Sequence, residues 1–356
     1  MNRIYAFDPG YGRMPFRLDE VVHKERVLHV HLKTHVEPQT SLVSALKSLG
    51  EYRQIDWMAL PQGALGKRLV AECADFSPTL VFMQLQTAGV LTPEALQHAK
   101  TFCPEATFVT WCGDIGRDNG PVYTPSSWYI HELAKAGLDL ALYSSWTQVV
   151  AHRTHGLDIA AYLQIGYDED VYYYPGEPPE AALHDVVFLG QNYQDAAWPT
   201  VPGNDIQLRR DVVSALRETF GERFGLFGSG WKGAEYVTSL NTRQLYTFAK
   251  AAVSLSLVST YDKYSSDRLL RSLACACPTF VKRFYDMASW GLVDGINCIV
   301  WDTTSELVDK LKAFLSESSS YRWAIGLSGA QFIKRNHTWG VRMREMLPLV
   351  YALGRE

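Results

Sequence analysis

Long apolar runs are missing from this 356-residue chain. No stretch reaches the length a bilayer-spanning helix needs, and no charged n-region followed by an apolar h-region opens the sequence, so a cytoplasmic protein without a membrane span is expected. Cysteine is scarce, and its six positions (Cys73, Cys103, Cys112, Cys275, Cys277, Cys298) show no zinc-ribbon spacing. Cys275-Ala276-Cys277 is not a CxxC pair either, which leaves buried thiols in a reducing compartment. An excess of one charge is also lacking. The formal net charge is -4, with 13 Lys+Arg against 15 Asp+Glu in residues 1–150 and 21 against 23 in the remainder. That balance excludes a general nucleic-acid binder. It still permits a local basic patch, because His23, Lys24, Arg26, Lys33, His35, Lys67 and Arg68 all fall in the first half.

What is present is the composition of an ordinary globular protein, 47% hydrophobic and 20% charged, with enough length for two cores. Strands are predicted at Val27–Leu32, Leu80–Leu85, Phe108–Cys112 and Leu138–Tyr143, each followed by a loop and a helical stretch. One helix covers Ser41–Leu49 and another starts at the Thr92-Pro93-Glu94 signal. Short continuous apolar runs separated by helices indicate a buried parallel sheet. The first 26 residues read as an added strand and turn.

Between residues 164 and 184 the character turns polar, aromatic and proline-rich, which marks an interdomain linker. The alternation then restarts: strand Asp185–Leu189, helix Leu208–Phe220, strand Phe224–Phe227, a Gly228-Ser229-Gly230 turn, a helix near Thr242–Lys250 and a strand at Val253–Leu257. Two doubly wound Rossmann-like α/β domains are expected, over 1–165 and 185–335, joined by a linker at 166–184. Residues 336–356 read as a terminal helix packing back on the first domain.

The segment from Asp262 to Leu315 carries the most chemistry. Ser265-Ser266-Asp267 caps a short helix with Arg268 in its first turn, and the helix runs into Ala274-Cys275-Ala276. A strand from Pro278 to Val281, a glycine turn, a strand at Cys298–Trp301 and a long amphipathic helix follow. A helix N-terminus with hydroxyls, free N–H groups and an arginine is a phosphate cradle. The pattern points to an enzyme that holds the diphosphate of a nucleotide-activated substrate.

With the elements in this order, the chain resembles the GT-B glycosyltransferases, and among them the retaining group that includes CgeB-like, spore-maturation-type transferases. The resemblance rests on Val187-Phe188-Leu189-Gly190, Phe227-Gly228-Ser229-Gly230-Trp231, the helix from Ser266 to Cys275, and Gly295-Ile296-Asn297-Cys298-Ile299-Val300. Three positions depart from that group. Arg271 stands where it has a glutamate, Lys263 stands eight residues earlier in place of an acid, and Ala276 replaces a glycine. The resemblance implies two Rossmann-like domains facing across a cleft, a nucleotide-diphospho-sugar donor such as a UDP-sugar, retention of configuration, and neither metal nor other cofactor.

In that frame Arg268 neutralises the leaving diphosphate, or alternatively lies exposed on the surface. Gly190, Gln191, Gly230, Trp231, Lys263, Ser265, Ser266 and Arg271 are donor-binding candidates. For Arg271 an ion pair with Asp267 at i-4 is the competing reading, for the glycines ordinary turns, and for Trp231 simple packing. Asp114, after the third strand, would orient or deprotonate an acceptor hydroxyl; a turn aspartate is the alternative. Lys33 and His35 are acceptor-side candidates. His29 and His31 alternate on one strand face and would form a polar face on an edge strand or an acceptor-side surface, with a metal site as the alternative. The acidic triplet Asp168-Glu169-Asp170 reads as a solvated turn. The acceptor stays open among carbohydrate, protein and hydroxymethylated phage DNA. A catalytically silent binding protein and a metal-dependent hydrolase are the other classes.

Overall fold

A computed structural model of the chain describes residues 24–32, 39–85, 88–113, 128–174, 176, 182–193, 203–234, 237 and 239–353. The chain divides into two compact units, one formed by residues 1–165 and 339–356, the other by 166–338.

In the first unit the described elements are β1 (Glu25–His31), α1 (Thr40–Lys47), β2 (Gly50–Asp56), α2 (Leu65–Phe76), β3 (Leu80–Met83), α3 (Pro93–Phe102), β4 (Thr107–Cys112), α4 (Trp128–Lys135), β5 (Leu140–Tyr143), α5 (Trp146–Thr154) and β6 (Ala160–Tyr162). The strands form one parallel sheet in the order β2-β1-β3-β4-β5-β6. The runs LVFM, TFVTWC and LALY are wholly buried because helices cover both faces. Thr92 caps α3 by accepting from the Ala95 N–H at 3.2 Å, with Pro93 at the first helical position. β2 has no counterpart among the sequence expectations. Its residues GEYRQID are mostly polar, which suits a half-exposed edge strand and hides it from an apolar-run reading.

The second unit contains β7 (His184–Leu189), α6 (Ile206–Phe220), β8 (Phe224–Phe227), α7 (Ser239–Thr247), β9 (Ala249–Ser254), α8 (Asp267–Ala274), β10 (Thr279–Lys282), β11 (Ile299–Trp301), α9 (Thr304–Ser316) and α10 (Ser319–Asn336). Its parallel sheet has the order β11-β10-β9-β7-β8. Helix α7 and strand β9 begin three to four residues before their predicted positions. The small residues of AKAAVS pair as strand, while the more apolar Leu255–Leu257 already lies beyond it. A reciprocal capping box, Thr303 with Glu306, starts α9.

Helix α10 packs on α8 at very close range. A Cβ at Gly326 would stand 2.0 Å from the Ala276 carbonyl oxygen, and one at Gly329 would stand 2.7 Å from that of Asn297. The last helix, α11 (Trp339–Ala352), belongs to the first unit. There Trp339, Met343, Met346 and Val350 share a core with Val27, Leu42 and Trp111, and Trp111 meets Trp339 edge-on at 5.0 Å.

Candidate active site

Both sheets reverse direction of winding between their first and third strands, β1/β3 in the first unit and β7/β9 in the second. In open parallel sheets the crevice beyond the carboxyl ends at such a point is where ligands bind. In the second unit this crevice is built around a residue the sequence reading passed over. Arg209, in the first turn of α6, is fully buried. It donates from Nη1 to the Gln191 carbonyl at 2.9 Å and from Nη2 to the Leu255 carbonyl at 3.1 Å, so it ties the exits of β7 and β9 together. Among the described residues its Nε hydrogen meets no acceptor, and its guanidinium lies 5.3 Å from the Tyr193 ring centre.

A signal for Arg209 existed in the sequence. The buried face of α6 includes Ile206, Val213, Leu216 and Phe220, and Arg209 is the one charge on it. An arginine on the core stripe of an amphipathic helix needs a polar reason to be there.

One residue past Leu255, Ser256 organises the start of α8. Its Oγ lies 3.1 Å from the Ser265 Oγ and accepts from the Ser266 N–H at 2.8 Å. Ser266 is the N-cap by backbone conformation, yet its side chain makes no capping bond, contrary to the expectation for a cap serine. Ser256 holds its backbone N–H instead, and the buried Ser266 hydroxyl meets no partner among the described residues. The N–H groups of Asp267 and Arg268 point forward from the helix with no helical carbonyl to meet. Leu269, Leu270 and Leu273 fill the core and fix the helix in place.

Electrostatics single out this corner. Arg209 is drawn down to about 10, first by burial and then by the positive charge of Arg268, with Tyr193 and Tyr264 acting in the opposite sense. Among the described residues, no carboxylate forms an ion pair with Arg209 or Arg268. Two guanidiniums that repel each other, beside a helix N-terminus, give this corner a positive potential.

The other donor candidates surround the same corner or brace it. Gly190 ends β7, and Trp231 donates from Nε1 to its carbonyl at 2.6 Å. Trp231 also packs edge-on to Phe188 at 6.4 Å, so much of its indole serves local packing. Gly228 has φ +114°, and a Cβ there would fall 2.4 Å from the Gly190 oxygen; only glycine permits that turn. Gly230 accepts from Asn192 Nδ2 at 3.0 Å. Gln191 exposes its side chain and offers its carbonyl to Arg209.

Lys263 is buried in a left-handed conformation, φ +54°, with its ammonium 3.9 Å from Asp286. Arg271 pairs with Asp267 and lies 5.1 Å over the Tyr172 ring, so the structure shows its local ion-pair reading.

Asp114, Lys33 and His35 lie outside the described residues. His29 and His31 sit on β1, which runs between β2 and β3 and is therefore not the edge strand expected. Their rings are 4.6 Å apart and buried. His29 approaches Tyr52 Oη at 2.9 Å and Gln84 Oε1 at 3.0 Å, and His31 approaches Asp56 at 3.2 Å. Burial, followed by the charge of His31, draws His29 down to about 3. Among the described residues no group of three or more His, Cys, Asp or Glu side chains is placed to hold a metal ion.

Comparison with known proteins agrees with this architecture. Residues 209–348 match the family described as glycosyl transferase-like. In fold, the chain is similar to HepE of Anabaena in complex with UDP and glucose, at a TM-score of 0.55 and 12% identity over 92% of this chain and 99% of that one. A glycosyltransferase from Rickettsia africae gives a TM-score of 0.56 and 9% identity, covering 93% and 99%. TarM of S. aureus gives 0.53 and 12%, covering 79% of this chain and 57% of TarM. No curated protein matches the chain in sequence. The fold is that of the GT-B glycosyltransferases, and the stretch similar to the glycosyl transferase-like family, residues 209–348, lies mostly in the second unit.

Proposed function

We propose that the chain transfers a sugar from a UDP-sugar to an acceptor hydroxyl, with retention at the anomeric carbon and without a metal ion. The observation that carries this reading is the pair Arg209 and Arg268, two guanidiniums at the winding reversal of the second sheet with which no carboxylate among the described residues forms an ion pair. The presence of UDP in the HepE and TarM complexes supports a uridine diphosphate as the anion.

In this reading Arg268, the Ser266 hydroxyl and the first N–H groups of α8 hold the diphosphate, with Arg209 behind them. Gly190, Gly228 and Gly230 allow the nucleotide to approach the backbone, and Lys263 adds a further positive charge. As the bond between the anomeric carbon and the β-phosphate oxygen breaks, negative charge grows on the phosphate. The guanidiniums stabilise it without reorganising. The acceptor oxygen attacks the same face, and its proton passes to the departing phosphate oxygen. Asp114, Lys33 and His35 are assigned to the acceptor.

Titration of the full chain with UDP and UDP-glucose by calorimetry, with and without a chelator, tests the proposal. Binding that survives chelation and is lost in Arg268→Ala supports it. A folded protein that binds neither compound at millimolar concentration would sink it. Proton NMR of the product's anomeric centre decides retention.

A further inference from the structure

We infer that the second unit holds a separate saccharide-binding recess at the far end of α8, between the 167–174 segment and α10. Its volume is about 480 Å³, within the range of ligand sites, roughly 300–1,000 Å³. Tyr167, Tyr172, Tyr173 and Tyr174 line it, with the small buried Ala274 and Ala330 beside them and the exposed Glu169 and Lys334 also lining it.

The tyrosines are braced by other side chains. Arg271 lies 5.1 Å over Tyr172, Arg243 lies 3.6 Å over Tyr173, and Trp323 meets Tyr174 edge-on at 6.3 Å. Tyr167 and Tyr172 are themselves buried, so Tyr173 and Tyr174 offer the stacking faces, and because they are ordered before a ligand arrives the further entropic cost is small. The chemistry of the lining selects the ligand class. Among the lining side chains one carboxylate balances one ammonium, and these charges together with the phenols disfavour a purely apolar guest. A pyranose offers a C–H face to an aromatic ring and hydroxyls at its rim. Glu169 accepts from such hydroxyls and Lys334 donates to their oxygens.

The recess is distinct from the diphosphate corner. Ala274 stands six residues along α8 from Arg268, about 9 Å at the rise of a helix. An oligosaccharide here would tether a glycan acceptor or product to the enzyme rather than occupy the donor site.

Calorimetry of the full chain with maltotetraose, cellotetraose and tetra-N-acetylchitotetraose tests the recess, with UDP titrated separately. One of these should bind, its affinity falling at least tenfold in Tyr174→Ala and in Glu169→Gln while UDP affinity is unchanged. No binding by any of the three overturns the inference, as does binding that survives both substitutions. Displacement of the oligosaccharide by UDP would place the sugar in the donor site and overturn it as well. Loss of UDP binding in Arg268→Ala reports on the donor site alone and leaves this result standing.

Discussion

The guanidinium of Arg209, sealed beneath the winding reversal of the second sheet, is pushed upon by that of Arg268 at the start of α8. Removing Arg268 relieves the repulsion but takes away the cation nearest the proposed diphosphate. Arg268→Ala should leave the melting temperature of ligand-free protein unchanged or slightly raised, while UDP affinity falls about 10- to 100-fold, the value of one or two charge-assisted hydrogen bonds. Arg209→Met should behave differently. It strips donors from the Gln191 carbonyl and the buried Leu255 carbonyl and should cost about 2–4 kcal/mol in urea unfolding. Equal stability of the two variants would show that Arg209 is not the structural tie described.

Arg271 offers a second test, because it neutralises Asp267, an acid in the first turn of the helix to which the proposed diphosphate is assigned. Arg271→Ala frees that negative charge and should weaken UDP binding several-fold. Adding Asp267→Asn should restore it, since the offending charge is gone. A double-mutant cycle by calorimetry separates this from direct contact. If the second substitution gives no recovery, Arg271 itself touches the nucleotide.

Ala276 closes α8 in a left-handed conformation, φ +55°, with the Cys277 N–H returning to the Ser272 carbonyl at 3.2 Å. Helices commonly end this way on glycine. Ala276→Gly removes the Cβ penalty and should stabilise the protein by about 0.5–1 kcal/mol, offset in part by greater freedom of the unfolded chain. A lower urea midpoint would mean that the buried methyl matters more than the backbone.

Acid should destabilise the protein well above the carboxylate range. His29 and His152 are both held near 3, chiefly by burial, and His131, 3.4 Å from His152, is lowered by the same cause. Unfolded, these side chains titrate near 6.5 and take up protons that the folded state refuses. The stability they confer is therefore present above pH 6.5 and lost as pH falls toward 3. The slope is up to about 1.4 kcal/mol per pH unit for each fully buried imidazole. Urea unfolding at pH 7, 6 and 5 measures it, and His29→Gln should flatten the curve. Constant stability across that range would contradict the burial of these rings.

The buried strands were legible in the sequence because they are continuous apolar runs, as LVFM and TFVTWC show. Helix α8 was legible for another reason: its leucines repeat on one side, and a serine-rich turn precedes them. What stayed hidden depends on tertiary partners. Strand β2 is polar and owes its place to pairing with β1. Ser256, inside an apolar stretch, becomes a hub only when the chain folds back to bring Ser265 and Ser266 against it. Arg209 was visible as an isolated charge on an apolar stripe, but the carbonyls that justify it lie 18 and 46 residues away in sequence.

The glycines of α10 have a mechanical corollary. Because Gly326 lets the Ala276 carbonyl sit where a methyl would otherwise be, the rear of α8 is clamped rather than merely covered. A helix pinned at its tail cannot slide when anionic charge pulls on its head, so attraction to the proposed phosphate is not dissipated in backbone recoil. Steric bulk introduced at residue 326 should therefore loosen nucleotide recognition at the opposite tip, without ever touching the ligand.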